Sequence, residues 1–333
     1  MQAPKVSILM PVYNAAPWLA ACIESILAQS FQDWELIAID DFSTDGSLHI
    51  LQDFAKASPR IKVYSNKEKG IIAALRLAFT HSKGEYITRM DADDRMAPHK
   101  LFLLVKCLLA KGRGYVATGL VKYFSEQALG EGYRRYEEWL NTLCKANNHY
   151  RDIYRECVIP SPCWMVHRED LLHCGAYLPN RYPEDYDLCF RFYQSSLQIL
   201  CVKEVLHFWR DHPQRSSRTD PNYASTNYFD LKLYWFLQID RRKERPLLLW
   251  GAGKKGKEIA RSLIAQAIPF TWLSNNPRKV GLQIYGIPIV SFTEITQQPL
   301  PQIIVAVSAP NEQNEIRNYW ETLGEPGDLY FFC

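Results

Sequence analysis

The 333-residue sequence predicts an α/β protein: a doubly wound parallel sheet, followed by a second and smaller α/β domain. Three observations predict it. Short apolar runs alternate with one-sided amphipathic segments through the first half of the chain. Two of those runs end in carboxylates, at Asp40-Asp41 and at Asp91-Ala92-Asp93-Asp94. A charged stretch, Asp240 to Arg245, gives way to a new apolar run that leads into Gly251-Ala252-Gly253.

Taken in order, Val6 to Met10 is a compact apolar run closed by Pro11; it reads as a buried first strand, with Pro11 to Asn14 as the loop at its tip. Pro17 opens a helix in which Trp18, Leu19, Cys22, Ile23, Ile26 and Leu27 keep the rhythm of one buried face. Glu35 to Ile39 is a second strand, ending in Asp40-Asp41 and passing through Ser43-Thr44-Asp45-Gly46-Ser47 into another helix. Ile61 to Tyr64 is a third strand, Gly70 to Phe79 a helix, and Tyr86 to Met90, behind Gly84, a fourth strand of β-formers. Such alternation implies parallel pairing. A helix from Lys100 to Leu109 and a core strand from Tyr115 to Tyr123 follow. Arg134 to Asn147 is helical, with Tyr136, Trp139, Leu140 and Leu143 on one face; packing is the first reading of that face and sugar stacking by Trp139 the second. Ile159 to Val166 is an extended segment.

A content of 47% hydrophobic and 23% charged residues supports a sizeable core. The net charge of +3 is too mild to argue for nucleic acid and fits a ligand that is only locally anionic. The nine cysteines are scattered and odd in number, with no C-x-x-C pair, so neither a disulfide framework nor a zinc site is expected. The amino terminus lacks a signal-peptide pattern, and the most apolar run, Leu101 to Ala110, is interrupted by Lys106. A cytoplasmic setting is expected.

The acid-tipped strands carry the chemistry. Ligands of open α/β sheets bind at the carboxyl edge, where Asp40, Asp41, Asp91 and Asp93 would crowd together. Asp91 and Asp93 lie two apart, so on an extended backbone they face the same way and can share one hard cation. Mg²⁺ or Mn²⁺ takes one or two protein carboxylates and completes its shell with water and phosphate oxygens. A solvated acidic turn before a helix is the plain alternative.

The runs Val6 to Asn14, Ala38 to Ser47 and Gly84 to Asp94, in this order and spacing, resemble family 2 glycosyltransferases of the GT-A fold. The resemblance implies a nucleotide-diphospho-sugar transferase in which Pro11, Tyr13 and Asp41 line the nucleobase pocket. It also implies that Asp91 lies near the ribose and diphosphate, and that Asp93 holds Mn²⁺ or Mg²⁺. The family commonly has Gly after its second-strand Asp-Asp; here Phe42 stands there, which puts the detail around the ribose in doubt. Arg181-Tyr182-Pro183-Glu184-Asp185 opens a helix whose first-turn acids answer the macrodipole or supply a base, and the residues alone leave both open. The resemblance implies that Asp185 is the general base. It likewise implies that His212, in Arg210-Asp211-His212, approaches the metal or diphosphate and that Arg210 contacts phosphate.

The domains are expected at residues 1–222, 223–245 (a helical connector that includes Tyr223 to Gln238) and 246–333. The glycine turn Gly251 to Gly256 after Leu247 to Trp250 predicts a Rossmann-like domain. The strand Phe270 to Ser274 ends without the acid that would grip a ribose, which argues against NAD, and protein docking is the favoured use. With this half included, the chain resembles β-1,3-N-acetylglucosaminyltransferase-like proteins. The implied partners are a nucleoside-diphosphate sugar, UDP-linked first, and a glycan or lipid-linked acceptor. Peripheral membrane contact would run through Arg241, Arg242, Lys243 and Arg245 at the inner face. The rivals are a nucleotidyltransferase, a catalytically silent sugar-nucleotide-binding module and an oxidoreductase.

Overall fold

A computed structural model describes residues 4–126, 128–223 and 225–333. The chain divides into two compact units: residues up to Arg151 together with Val158–Thr219, and Asp152–Cys157 together with Asp220–Cys333.

In the first unit the expected alternation appears as β1 (Val6–Val12), α1 (Ala16–Leu27), β2 (Trp34–Asp40), α2 (Ser47–Ala57), β3 (Ile61–Ser65), α3 (Ile71–His81) and β4 (Tyr86–Arg89). After them come β5 (Arg95–Met96), α4 (Lys100–Lys111), β6 (Tyr115–Phe124), α5 (Glu131–Ala146), β7 (Trp164–His167), α6 (Arg168–His173), α7 (Glu184–Gln194), β8 (Gln198–Arg210) and α8 (Ser216–Thr219). The sheet order is β3-β2-β1-β4-β7-β6-β8-β5. β1 pairs in parallel with β2 from Val6 opposite Trp34 to Val12 opposite Asp40, and with β4 from Val6 opposite Tyr86 to Leu9 opposite Arg89. This register carries both acid tips to one edge, where the Asp41 N–H donates to the Val12 carbonyl and the Met90 N–H to that of Leu9.

The sheet is mixed rather than wholly parallel. β7 runs antiparallel to both β4 and β6, and β5 antiparallel to β8. The reason lies in the approach: residues 160–163 form a turn, closed by Cys163 N–H on the Pro160 carbonyl, beside the end of β4. A chain already at the carboxyl edge can enter the sheet only by running away from it, so the segment expected to be extended from Ile159 becomes strand only at Trp164. The long β8, of which sequence patterning exposes only the end, follows β6 with a register shift around Gly119 and Leu120.

α1 has the expected Pro in its first turn and buries Leu19, Cys22, Ile23 and Ile26, the spacing of one helical face. These residues join Leu101, Leu104 and Leu108 of α4 and Ile8, Met10, Leu36 and Ala38 of the sheet in one core. Each fully buried side chain of this kind is worth about 1.5–3 kcal/mol. Trp139 packs half-buried against this core with its ring 5.6 Å from that of Tyr136, in line with the packing reading. One pairing was not expected: Cys144 near the end of α5 forms a disulfide with Cys201 of β8, 57 residues away. No local motif betrays two cysteines on separate elements.

The second unit holds α9 (Ser225–Ile239), β9 (Leu247–Trp250), α10 (Lys254–Ala265), β10 (Thr271–Ser274), β11 (Gln283–Ile284), β12 (Ile287–Ser291), β13 (Gln302–Val305), α11 (Pro310–Thr322) and β14 (Asp328–Phe331). Ala224, within the expected connector helix, and residues 1–3 of the expected first domain lie outside the described residues. The sheet order is β11-β12-β10-β9-β13-β14, parallel apart from the β11/β12 hairpin. The glycine turn is needed where it stands: a Cβ on Gly256 would meet the Gly251 carbonyl oxygen at 1.9 Å. Of the basic residues considered for membrane contact, Arg245 is paired with Asp328 at 2.6 Å and Arg241 donates to Gln302 Oε1 at 3.0 Å. Among the described residues no helix is long and apolar enough to cross a membrane.

Gly84 sets how closely β4 approaches β1, because a Cβ there would meet the Ser7 backbone nitrogen at 2.4 Å. Gly84→Ala is expected to destabilise the protein by about 1–3 kcal/mol, read as a lower urea midpoint with an unchanged slope.

Candidate active site

At the carboxyl edge the loop after β1 and the loop after β2 are latched together. Asn14 N–H donates to Ser43 Oγ, Thr44 N–H to Asn14 Oδ1, Ala15 N–H to Ser47 Oγ and Ala16 N–H to Asp45 Oδ2, at 2.8–3.1 Å. Behind the latch Asp41 is buried, and its carboxylate accepts from the Gly70 N–H at 3.0 Å and from Asn66 Nδ2 at 2.7 Å. Asp40 is buried as well, with Oδ1 lacking a hydrogen-bond partner. Pro11 is half-buried in β1 opposite Ile39, and Tyr13 stands 50% exposed at the rim with the Lys69 ammonium 4.8 Å from its ring centre. Phe42 is 48% exposed and has φ 62, the left-handed region that a glycine adopts without strain. The backbone thus keeps the glycine conformation although the side chain differs.

Arg89, the last residue of β4, does what sequence reading missed. Its Nε donates to Asp91 Oδ1 and its Nη1 to Glu184 Oε1, both at 2.8 Å. One buried guanidinium therefore joins the tip of β4 to the first turn of α7, 95 residues away. Burial, and then the charges of Asp93 and Glu184 against the pull of Arg89, hold the Asp91 carboxyl above its ordinary range. Asp185 follows Glu184 and accepts the Tyr186 N–H on Oδ1 at 2.8 Å; burial and the neighbouring Glu184 push its carboxyl up to about 7. α7 is fixed by Asp187, held between Arg181 at 2.8 Å and Arg191 at 2.9 Å.

On the other side, Asp93 Oδ2 lies 2.8 Å from His212 Nε2, and the His212 ring lies 3.9 Å from that of Trp18. Arg210 does not reach outward: its Nε donates to the Asp93 carbonyl at 2.8 Å, its N–H to Asp94 Oδ1 at 2.7 Å and its Nη1 to Glu126 at 3.2 Å. Asp94 is fully buried on His207 Nε2 at 2.9 Å, and His207 Nδ1 meets the buried Lys100 at 3.2 Å. Burial and the charges of Asp93 and Asp91 raise the Asp94 carboxyl well above normal. Arg215, also missed, rests half-buried among Tyr123, Tyr133 and Trp209, in the field of Asp94 and Asp93, with Nη1 unpartnered. Only its place shortly after Arg210-Asp211-His212 could have signalled it.

These donors fit a hard divalent cation. Asp93 and His212 converge on one point, the buried His212 Nδ1 is unpartnered, and the charges of Asp91 and Asp93 both bear on the buried Asp94 beside them. Water and phosphate oxygens would complete such a shell.

The profile of glycosyl transferase family 2 matches residues 7–175, the span that contains both acid tips. The putative glycosyltransferase EpsE of Bacillus subtilis is 32% identical over 235 residues, covering 67% of this chain and 79% of EpsE. The chain belongs to glycosyl transferase family 2. It is a glycosyltransferase, and among solved structures it is similar to Staphylococcus aureus TarS in complex with UDP-GlcNAc (TM-score 0.55, 16% identity, 72% of this chain and 68% of TarS 1-349). A second similar structure is the Pyrobaculum calidifontis mannosyltransferase PcManGT in complex with GDP-Man and Mn²⁺ (TM-score 0.53, 17% identity, 80% and 76% covered). At such identities the likeness shows the fold, which for this family 2 glycosyltransferase is GT-A. The putative teichuronic acid biosynthesis glycosyltransferase TuaG of Bacillus subtilis is 34% identical over 117 residues, 35% of this chain and 46% of TuaG.

Removing the Arg89 cation leaves two buried carboxylates facing each other. Arg89→Met is expected to cost about 3–5 kcal/mol of stability, measured by urea unfolding, and Arg89→Lys, which keeps charge without the forked contact, to cost less.

Proposed function

We propose that this glycosyltransferase inverts the sugar it moves, passing it from a nucleoside diphosphate to a hydroxyl of a glycan or lipid-linked acceptor with a divalent cation bound. The observation that carries the reading is the Asp185 carboxyl, poised near 7 and tied through Glu184 and Arg89 to Asp91. Its neighbourhood supplies a base near neutral pH, where a general base is most effective.

In the proposed reaction Asp185 takes the proton of the acceptor hydroxyl as that oxygen bonds to the anomeric carbon. The bond from that carbon to the diphosphate oxygen breaks, and the nucleoside diphosphate leaves with the electron pair. A single displacement inverts the carbon. Mn²⁺ or Mg²⁺, held by Asp93 and His212, would neutralise the charge that builds on the leaving group. Arg215, with a free N–H, would donate to a phosphate oxygen, and Arg210 would hold the Asp93 backbone in place. Asp41, Asp40, Pro11 and Tyr13 would receive the nucleoside, and Asp91 would lie near the ribose and diphosphate.

UDP-N-acetylglucosamine is the first donor to test, supported by the sequence resemblance and by the nucleotide sugar in the TarS title. The names of TuaG and of chondroitin synthase, 40% identical over 97 residues, support an acceptor in polysaccharide assembly. The second unit, read as Rossmann-like, would serve docking. A nucleotidyltransferase would instead release pyrophosphate from a nucleoside triphosphate, and a silent binding module would not turn donor over.

Mass spectrometry of products from UDP-N-acetylglucosamine with Mn²⁺ and a hydroxyl acceptor is expected to show transfer that chelation abolishes; release of pyrophosphate, or binding without turnover, overturns the reading. Asp185→Asn is expected to lower kcat by about 10²–10⁴-fold with donor affinity unchanged. In wild type kcat should rise with pH through about 7, because the base must be unprotonated. The stability sign follows from the same shift: a folded value above the unfolded one makes Asp185 cost stability as pH rises between about 4 and about 7. Asp185→Asn should therefore melt higher than wild type at pH 8, with no gain at pH 4.

A further inference from the structure

Away from the carboxyl edge, α5 ends in a left-handed cap at Asn147 (φ 55), whose N–H returns to the Cys144 carbonyl at 3.3 Å. That turn brings His149, at the start of a short 3₁₀ segment, back over the Cys144–Cys201 pair. The two sulfurs and a ring nitrogen of His149 all lie within 4.8 Å of one another. Cys144 is 2% exposed and His149 3%.

His149 is the part the disulfide does not explain. Its Nδ1 is buried with no hydrogen-bond partner, an arrangement that is unfavourable unless something occupies it. Two thiolates and a neutral imidazole are a soft donor set that favours Zn²⁺ over the hard cation expected at Asp93. Zn–S bonds of about 2.3 Å and Zn–N bonds of about 2.0 Å separate tetrahedral ligand atoms by roughly 3.5–4 Å, so the two sulfurs, bonded to each other in the disulfide, move apart on reduction while the imidazole nitrogen already lies within 4.8 Å of both. A cleft of about 690 Å³ lined by Asn148, His149, Tyr193, Gln198 and Leu200 opens on the His149 side of the cluster.

We propose that Cys144, His149 and Cys201 form a redox-gated zinc site. Two molecules of a cellular thiol reduce the disulfide, giving two cysteine thiols and one thiol disulfide. Zn²⁺ then displaces the two thiol protons and binds both sulfurs and the imidazole. Either state clamps the base of α5 to β8. α5 in turn holds β6 through Asn141, which accepts the Val121 N–H at 3.0 Å, and Glu137, which accepts that of Tyr123 at 2.5 Å. The reduced, metal-free state is the one in which α5 is loose. This proposal stands apart from the assignment of Asp185.

Full-length protein reduced with a phosphine, incubated with Zn²⁺ and dialysed is expected to retain about one zinc per chain more than the oxidised protein by elemental analysis, whatever the Asp93–His212 site holds in both. Cys107→Ser should leave that value unchanged, while His149→Ala and Cys144→Ser should lose at least tenfold in zinc affinity. Zinc absent from the reduced protein, or equal in wild type and His149→Ala, overturns the site. Should His149→Ala fail to fold, Co²⁺ titration of wild type decides. A near-ultraviolet thiolate-to-cobalt band that alkylation of Cys144 and Cys201 abolishes supports the proposal, and a spectrum of aqueous cobalt alone overturns it.

Discussion

Crowded negative charge at one sheet edge is the constraint on which the rest of the first unit depends. Asp91, Asp93, Asp94, Glu184 and Asp185 share a poorly hydrated region, where unpaired carboxylates repel and are costly. Arg89 separates Asp91 from Glu184, Arg210 donates to the backbone of Asp93 and to the side chain of Asp94, and the His207–Lys100 pair backs Asp94 from below. Burial first, and then the charge they leave uncompensated, hold the carboxyls of Asp91, Asp94 and Asp185 above their ordinary range. A fold keeps such residual cost where a ligand relieves it.

The offsetting groups come from distant stretches of chain, so their placement requires a stiff frame. Parallel registers on both sides of β1 fix the two acid tips relative to each other, and Gly84 fixes their spacing. The loop latch from Asn14 to Ser47 and the double clamp on Asp187 do the same for the nucleoside side and for α7.

Much of this was legible in the sequence, and the limits have physical causes. Apolar runs announced β1, β2 and β4, the last two with acid at their ends, because burial and sheet edge leave a local imprint. β8 escaped notice over most of its length because its outer residues, such as Lys203 and Glu204, are exposed and break the apolar pattern. Antiparallel β7 escaped because strand direction is set by where the chain arrives, not by composition. Arg89, Asn66 and Gly70 act through partners 25 to 95 residues away, a relation that no spacing motif records. Phe42 is the converse case: a bulky side chain stands where the resemblance expects glycine, on a left-handed backbone that a glycine would adopt without strain.

The reversed direction of β7 has an evolutionary side. Since that strand begins beside the acid tips, the chain between β6 and β7 leaves the rim and returns to it, and although α5 is tied to β6 and β8 on the way, the strand pairing of β7 sets no length for the excursion. Changes of length in that excursion would therefore leave every strand register of the sheet as it is.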